Sequence, residues 1–322
     1  MSGSDQNEIT EVSDHLAAVV KQEVLVQDAK CTPLEREHPL RGDFAKPRNL
    51  TVIRPPSFSL QTIVSEIRTL VAYRDLVYTL TLLRITVRYK QSVLGWIWAA
   101  LQPLAVMTVY TLVFSWVAKV RSEGVPYPVF VLSALLPWIF FSSAVSNAVN
   151  GLVGHADLLS KLHFPREIIP LSYVFAALVD FVIACFILSG LMVYYRFAFR
   201  WTTLYALPVI AILIVFTSAI ALFLSSIQVR FRDVAAALPV ILQIGVFATP
   251  VAYSLNAVPA RYQRLYLLNP VAGLIENFRR VVTHGMAPDI PMLVTSGTIT
   301  LCCIALAYAY FKATESTMSD VI

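Results

Sequence analysis

Between Lys90 and Lys119 the chain carries no charged residue, and the same holds between Glu123 and His155. A helix that crosses the hydrocarbon of a bilayer needs about 20 mostly apolar residues, whereas apolar stretches of about 10–14 belong to soluble cores or interfaces. Four further stretches qualify: from about Ile168 to Tyr195, interrupted only by Asp180; between Trp201 and Arg230; from after Asp233 to a fade near Tyr253; and from about Met292 to Phe311. The pattern predicts an all-α integral membrane protein with six transmembrane helices.

Composition excludes the soluble alternative. Of the 322 residues 57% are hydrophobic and 14% charged, where soluble domains carry about 25% charged residues to cover their surface. Residues 1–50 hold nine carboxylates against six Lys or Arg, so the rest of the +5 chain is basic. That suits a body facing anionic lipid or an anionic cargo. No solvated basic face for nucleic acid is evident. Cys31, Cys185, Cys302 and Cys303 show no CxxC spacing, and the last three lie in apolar runs as packing residues.

Residues 1–58 are polar, lack an apolar signal segment and read as a disordered cytoplasmic tail. An even number of spans then puts both termini in the cytoplasm. Basic residues do not decide the orientation, because both sets of loops carry them. Residues 59–90 differ from the spans. Ile63, Ile67, Leu70 and Val71 recur at helical spacing, as do Leu76, Leu80, Leu83 and Val87, while Arg68, Arg74, Arg84, Arg88 and Lys90 bar a span. They predict an amphipathic helix in the interface plane, its basic residues on lipid headgroups. Residues 91–322 form the membrane domain. Within 254–291, Leu265–Ile275 is apolar but too short to span, with Asn269–Pro270 favouring a turn before the stretch continues as a helix and Gly285 fitting the end of that helix. A re-entrant element must be buried in protein or line a wet cavity, so an outer gate is expected here.

Catalysis finds no support. There is no GxxxxGK[ST], GxSxG or HExxH, and His15, His38, His155, His163 and His284 have no carboxylate at metal-ligand spacing. No metal site or cofactor is expected. Asp180, the one ionisable residue deep in a span, reads better as a bond to a neighbouring helix than as an ion-coupling site.

Arg88-Tyr89-Lys90-Gln91-Ser92-Val93-Leu94-Gly95-Trp96-Ile97-Trp98, followed by Leu101-Gln102-Pro103, resembles the segment that opens the first span of permease subunits of polysaccharide ABC exporters. That family exports O-antigen, teichoic acid and capsule chains. Leu158-Leu159-Ser160-Lys161-Leu162-His163-Phe164-Pro165-Arg166-Glu167-Ile168 resembles the family's cytoplasmic loop between spans two and three. Val229-Arg230-Phe231-Arg232-Asp233, Ala248-Thr249-Pro250-Val251-Ala252-Tyr253 and Asn269-Pro270 through Glu276-Asn277-Phe278-Arg279 are similar to its second cytoplasmic contact, fifth span and outer gate.

The resemblance implies a type 2 ABC exporter fold and one half of a transporter, completed by a second copy and by two ATPase subunits that bind ATP and Mg. Leu158, Leu159, Lys161, His163, Phe164 and Arg166, with Arg230 and Arg232, would couple to the ATPase. Asn269, Pro270, Glu276 and Arg279 would form the outer gate. Trp98, Tyr110, Phe114, Phe247 and Tyr253 are the candidate channel lining, where aromatic faces stack weakly on sugar C–H surfaces. Arg84, Arg88 and Lys90 would meet lipid headgroups or the diphosphate of a lipid carrier. The expected cargo is a lipid-linked polysaccharide crossing the bacterial inner membrane. The competing readings are a secondary transporter, for which Asp180 alone is too little, a membrane enzyme on lipid-linked sugars, which lacks clustered carboxylates, and an ABC permease for a drug or small lipid.

Overall fold

The computed structural model describes residues 71–90, 95–120, 122, 124–155, 164–197 and 200–321. The proposed tail, residues 59–70 of the amphipathic region, and Leu158, Leu159, Lys161 and His163 lie outside them. All regular structure among the described residues is helical. In chain order the helices are α1 (Arg74–Lys90), α2 (Ile97–Tyr110, continuing as a π-helical stretch Thr111–Val117), α3 (Tyr127–Gly154), α4 (Ile168–Tyr194), α5 (Ala206–Arg230, after a 3-10 turn Trp201–Tyr205), α6 (Asp233–Phe247), α7 (Ala260–Leu267), α8 (Pro270–Thr283) and α9 (Ile290–Val321).

Helices α2 to α6 and α9 run up and down. One end of the bundle, the near end, gathers His155, Ile168, Arg230 and Lys312, and the far end gathers Val117, Tyr127, Trp201 and Phe247. Side chains cross each end. Arg166 Nη1 donates to Glu315 O at 2.8 Å and the Gln228 amide oxygen accepts from Ala235 N at 2.8 Å at the near end. At the far end Tyr127 donates to Ala252 O at 2.7 Å and Thr202 to Gly285 O at 3.0 Å. Helix α3 is apolar around most of its circumference and is accordingly the central helix, with most residues from Val129 to Leu152 buried against α4, α5 and α8 and Asn150 exposed.

Among the described residues five helices are long and apolar enough to cross a membrane: Ile97–Val117, Tyr127–Gly154, Ile168–Tyr194, Trp201–Arg230 and Ile290–Glu315. Where the fifth span is expected, the apolar helix is shorter. Helix α6 has 15 residues, about 22 Å at 1.5 Å per residue, short of the roughly 30 Å of hydrocarbon. The apolar run continues to Val251, but Pro250 drives Thr249 away from helical torsions, and Val251 N turns back to Thr249 O at 2.7 Å. The chain then passes through α7 into α8. The Asn269 side chain caps α8, accepting from Val271 N at 3.1 Å and Ala272 N at 3.4 Å, with Pro270 in the first turn. Gly285, at φ +59°, terminates it in the left-handed conformation that glycine adopts without strain.

Helix α1 climbs beside α4 instead of crossing its end. Leu80 packs with Ile168 and Ile169, Arg84 reaches Ser172, and Arg88 reaches Asp180, about 18 Å above Ile168 by helical rise. Ala99, in the first turn of α2, packs near Ala176 and Val179. The near ends of α3, α4 and α5 therefore extend beyond the start of α2, and α1 covers α4 there.

Close packing at Gly151 of α3 holds this arrangement. A Cβ at that position would stand 2.3 Å from Cε2 of Tyr173, whose ring lies under the Arg84 guanidinium at 3.4 Å. Alanine gains about 1 kcal/mol of helix propensity over glycine, but a rigid aromatic clash in a packed interior costs about 1–3 kcal/mol. Gly151→Ala is expected to destabilise the protein, whereas Gly190→Ala, with open space around it, is neutral or slightly stabilising. Thermal unfolding of the two purified variants in detergent checks the opposite signs.

Candidate functional site

Helix α1 carries Arg88 and Tyr89 on adjacent positions to one carboxylate. Arg88 donates to Asp180 Oδ2, and the Tyr89 hydroxyl donates to Asp180 Oδ1 at 2.7 Å. Burial, and then the bond to Asp180, push the Tyr89 phenol up to about 12, so it stays a donor at neutral pH. Arg84 gives its Nε to Ser172 Oγ at 2.7 Å and stacks on Tyr173. Burial lowers its pKa to about 10, leaving it charged. Arg84 and Arg88, expected to face headgroups or a diphosphate, are thus both bonded to α4, while Arg88 stays partly open to the outside and Lys90 is exposed at the end of the helix. Beside this junction lies a cavity of about 440 Å³, bordered by α1, α2, α3 and α4.

The far end is organised by Arg279. Its side chain is 1% exposed, donates Nη1 to Pro250 O at 3.1 Å, pairs through Nη2 with Glu276, and lies 4.2 Å from the centre of the Phe130 ring. The guanidinium thereby ties α8 to the segment that ends α6 and to the first turn of α3. Asn269 Nδ2 adds a bond to Thr249 Oγ1 at 3.3 Å. Tyr253, a candidate channel residue, instead hydrogen-bonds Phe247 O at 2.8 Å and the Tyr266 hydroxyl at 2.7 Å. Burial, then Tyr266, raise its pKa. The expected gate residues Asn269, Pro270, Glu276 and Arg279 do share one cluster, and Tyr253 belongs with them.

At the near end, Phe164, expected to couple to the ATPase, points inward into a cluster with Leu76, Leu80, Ile168 and Phe311. Arg166 bonds the last turns of α9, while Arg230 and Arg232 are exposed. Glu167, 1% exposed, meets Lys312 Nζ at 2.6 Å, and Lys312 also meets Glu315 at 3.0 Å. Burial raises the Glu167 carboxyl above its usual range against the pull of Lys312.

The two helices nearest an expected channel are poorly covered. On α2, Trp98, Leu101, Val109, Leu112, Val113 and Trp116 are exposed, and on α6 Val240, Ile241, Ile244 and Phe247. Leu238 is the buried residue of α6. Tyr110 and Phe114 are half-buried with ring centres 5.5 Å apart, packed on the core around α3.

Residues 75–283, from the first turn of α1 to the last of α8, match the family model described as ABC-2 type transporter. The chain belongs to that family. Among curated relatives, the O-antigen export system permease protein RfbA of Myxococcus xanthus is 29% identical over 259 residues, 80% of this chain and 98% of that protein. A Klebsiella pneumoniae protein of the same name is 28% identical over 213 residues, 66% of this chain and 82% of its own length. The polysialic acid transport protein KpsM of Escherichia coli is 25% identical over 247 residues, 75% and 94% respectively. This ABC-2 chain is a multi-pass membrane subunit of a transporter.

Sequence reasoning did not find the Glu167–Lys312 pair or the Ser172 and Tyr173 partners of Arg84. All join residues far apart in the chain. The one available signal was a carboxylate, Glu167, opening an apolar run that extends to Tyr195.

Proposed function

We propose that this ABC-2 protein is the membrane permease of an ATP-driven exporter of a lipid-linked polysaccharide. It works as two copies with two ATPase subunits in the bacterial inner membrane, with both termini in the cytoplasm and ATP and Mg bound by the ATPase. The observation that carries the reading is the pair of uncovered helices, α2 and α6, both packed on the largely buried α3. A second copy placed against them closes a passage between two α2 and two α6 helices, lined by Trp98 and Phe247 with Tyr110 and Phe114 behind. The named relatives, two O-antigen export permeases and a polysialic acid transporter, supply the class of cargo.

In this reading the near end faces the cytoplasm. Arg166, Arg230 and Arg232 lie where the ATPase would dock, and Leu158, Leu159, Lys161 and His163 precede Arg166 in the sequence. Helix α1 beds its exposed Tyr78, Leu82 and Val87 in the membrane boundary, with Lys90 toward headgroups. The cluster around Arg279 closes the outer side, and α6 with the turn after it replaces a full-length span.

The decisive experiment deletes the gene. Surface polysaccharide is expected to disappear while lipid-linked polymer accumulates inside the cell, measured by staining intact cells and extracting lipid from lysed ones. An unchanged surface with no internal polymer would refute the assignment and favour a small-molecule ABC permease.

A further inference from the structure

We infer that the cavity between α1, α2, α3 and α4 is a binding subsite for an uncharged sugar unit of the exported chain; the inference rests on the reading of this protein as a polysaccharide permease. Its volume of about 440 Å³ falls within the roughly 300–1,000 Å³ of small-ligand sites. Two kinds of surface face it. Tyr89, Trp98, Phe140 and Phe181 contribute aromatic rings, and Gln102, Ser143, Asn147 and Asp180 contribute hydrogen-bonding groups.

A pyranose presents the same two surfaces. Its C–H faces are weakly positive and suit the negative faces of aromatic rings. Its hydroxyls both donate and accept, which matches amides that do both and a carboxylate that accepts. Two of those partners, Asp180 and Asn147, are already fixed. Asp180 is held by Arg88 and Tyr89, which use two of about four acceptor positions on a carboxylate. Asn147 gives Nδ2 to Ser143 O at 2.7 Å, setting the plane of its amide. Groups ordered before the ligand arrives lower the cost of binding.

Charge decides the ligand class. Arg88 and Asp180 cancel, so the wall has no net charge. A diphosphate needs cations free to form charge-assisted bonds, and Lys90 is not among the lining residues. An acyl chain would leave the polar groups without partners, at a cost. The cavity borders the first turns of α2, so a chain arriving from the near end reaches it before the uncovered faces of α2 and α6.

The test uses the permease–ATPase complex in detergent. The probe is polymer taken from inside the deletion strain, freed of its lipid by mild acid and tritium-labelled. The parent complex is expected to bind it, and Asn147→Leu and Gln102→Leu are each expected to bind about tenfold more weakly, the effect of one lost hydrogen bond. Both variants should keep the parent's unfolding temperature, and Gln102, being exposed, gives a variant whose folding is not at risk. Unchanged affinity in both variants would overturn the inference. So would competition by polyprenyl diphosphate without sugar, which would make the cavity a headgroup site. A parent complex that binds no lipid-free polymer, in cells that export normally, would mean the cavity holds water only. Failure of the deletion strain to accumulate polymer would count against the functional reading itself and is read separately.

Discussion

Arg279→Ala is expected to stop export and to destabilise the protein by about 3–5 kcal/mol, the cost of breaking a buried pair from one side. Three losses coincide. Glu276, whose side chain is 19% exposed, loses its counter-charge; Pro250 O loses its donor; and the Phe130 ring loses the cation above it. The segment from Thr249 to Tyr253 would no longer be held against α8, and the outer cluster would open. Lysine cannot replace the fork that reaches a carbonyl and a carboxylate together, so Arg279→Lys should recover little. Glu276→Gln combined with Arg279→Met leaves no uncompensated charge and should recover part of the stability without recovering export. Thermal unfolding and surface staining of the three variants would settle this. An Arg279→Ala protein that melts with the parent would show that the guanidinium is not holding the far end together.

The second large effect lies at the opposite end. Lys312→Met leaves Glu167 buried among apolar side chains with its partner gone, and a loss of similar size, about 3–5 kcal/mol, is expected. Removing both charges, as Glu167→Gln with Lys312→Met, should be close to neutral for folding, because well-packed neutral groups often replace buried pairs at little cost. Function should respond differently. Glu167 and Arg166 follow directly on the loop proposed to meet the ATPase, and both grip the last turns of α9. The double variant is therefore expected to fold, hydrolyse ATP and export less polymer per ATP. Equal export per ATP in the double variant would reduce the pair to a structural role.

Much of this architecture was legible because bilayer thickness imposes a length on apolar runs that few other patterns imitate. Asn269–Pro270 announced the start of α8 and Gly285 its end, since capping and positive φ are local demands on residue type. Helix α6 was not legible as a short helix. Its apolar residues run past the break, and what ends it is Pro250 together with an arginine nearly thirty positions later. The inward packing of Phe164 is hidden in the sequence for a related reason. Its place in a loop suggests a contact for a partner, but Leu76 and Leu80 of α1 and Phe311 of α9 converge on it. The partners of Arg84 and Asp180 were equally beyond reach, because they depend on α1 running beside α4. A span with one carboxylate signals that a partner is needed without saying which helix brings it.

That last contact bears on how the protein is made. Synthesis proceeds from the N-terminus, so Arg88 and Tyr89 exist before the ribosome reaches α4. When α4 leaves the insertion machinery, Asp180 near its midpoint opposes partition into lipid by up to about 3 kcal/mol on insertion scales. The earlier helix offers it an ion pair and a hydroxyl as it emerges. Order of manufacture and native contact agree, and a chain that lost α1 would deliver its third long span to the bilayer with an unescorted charge.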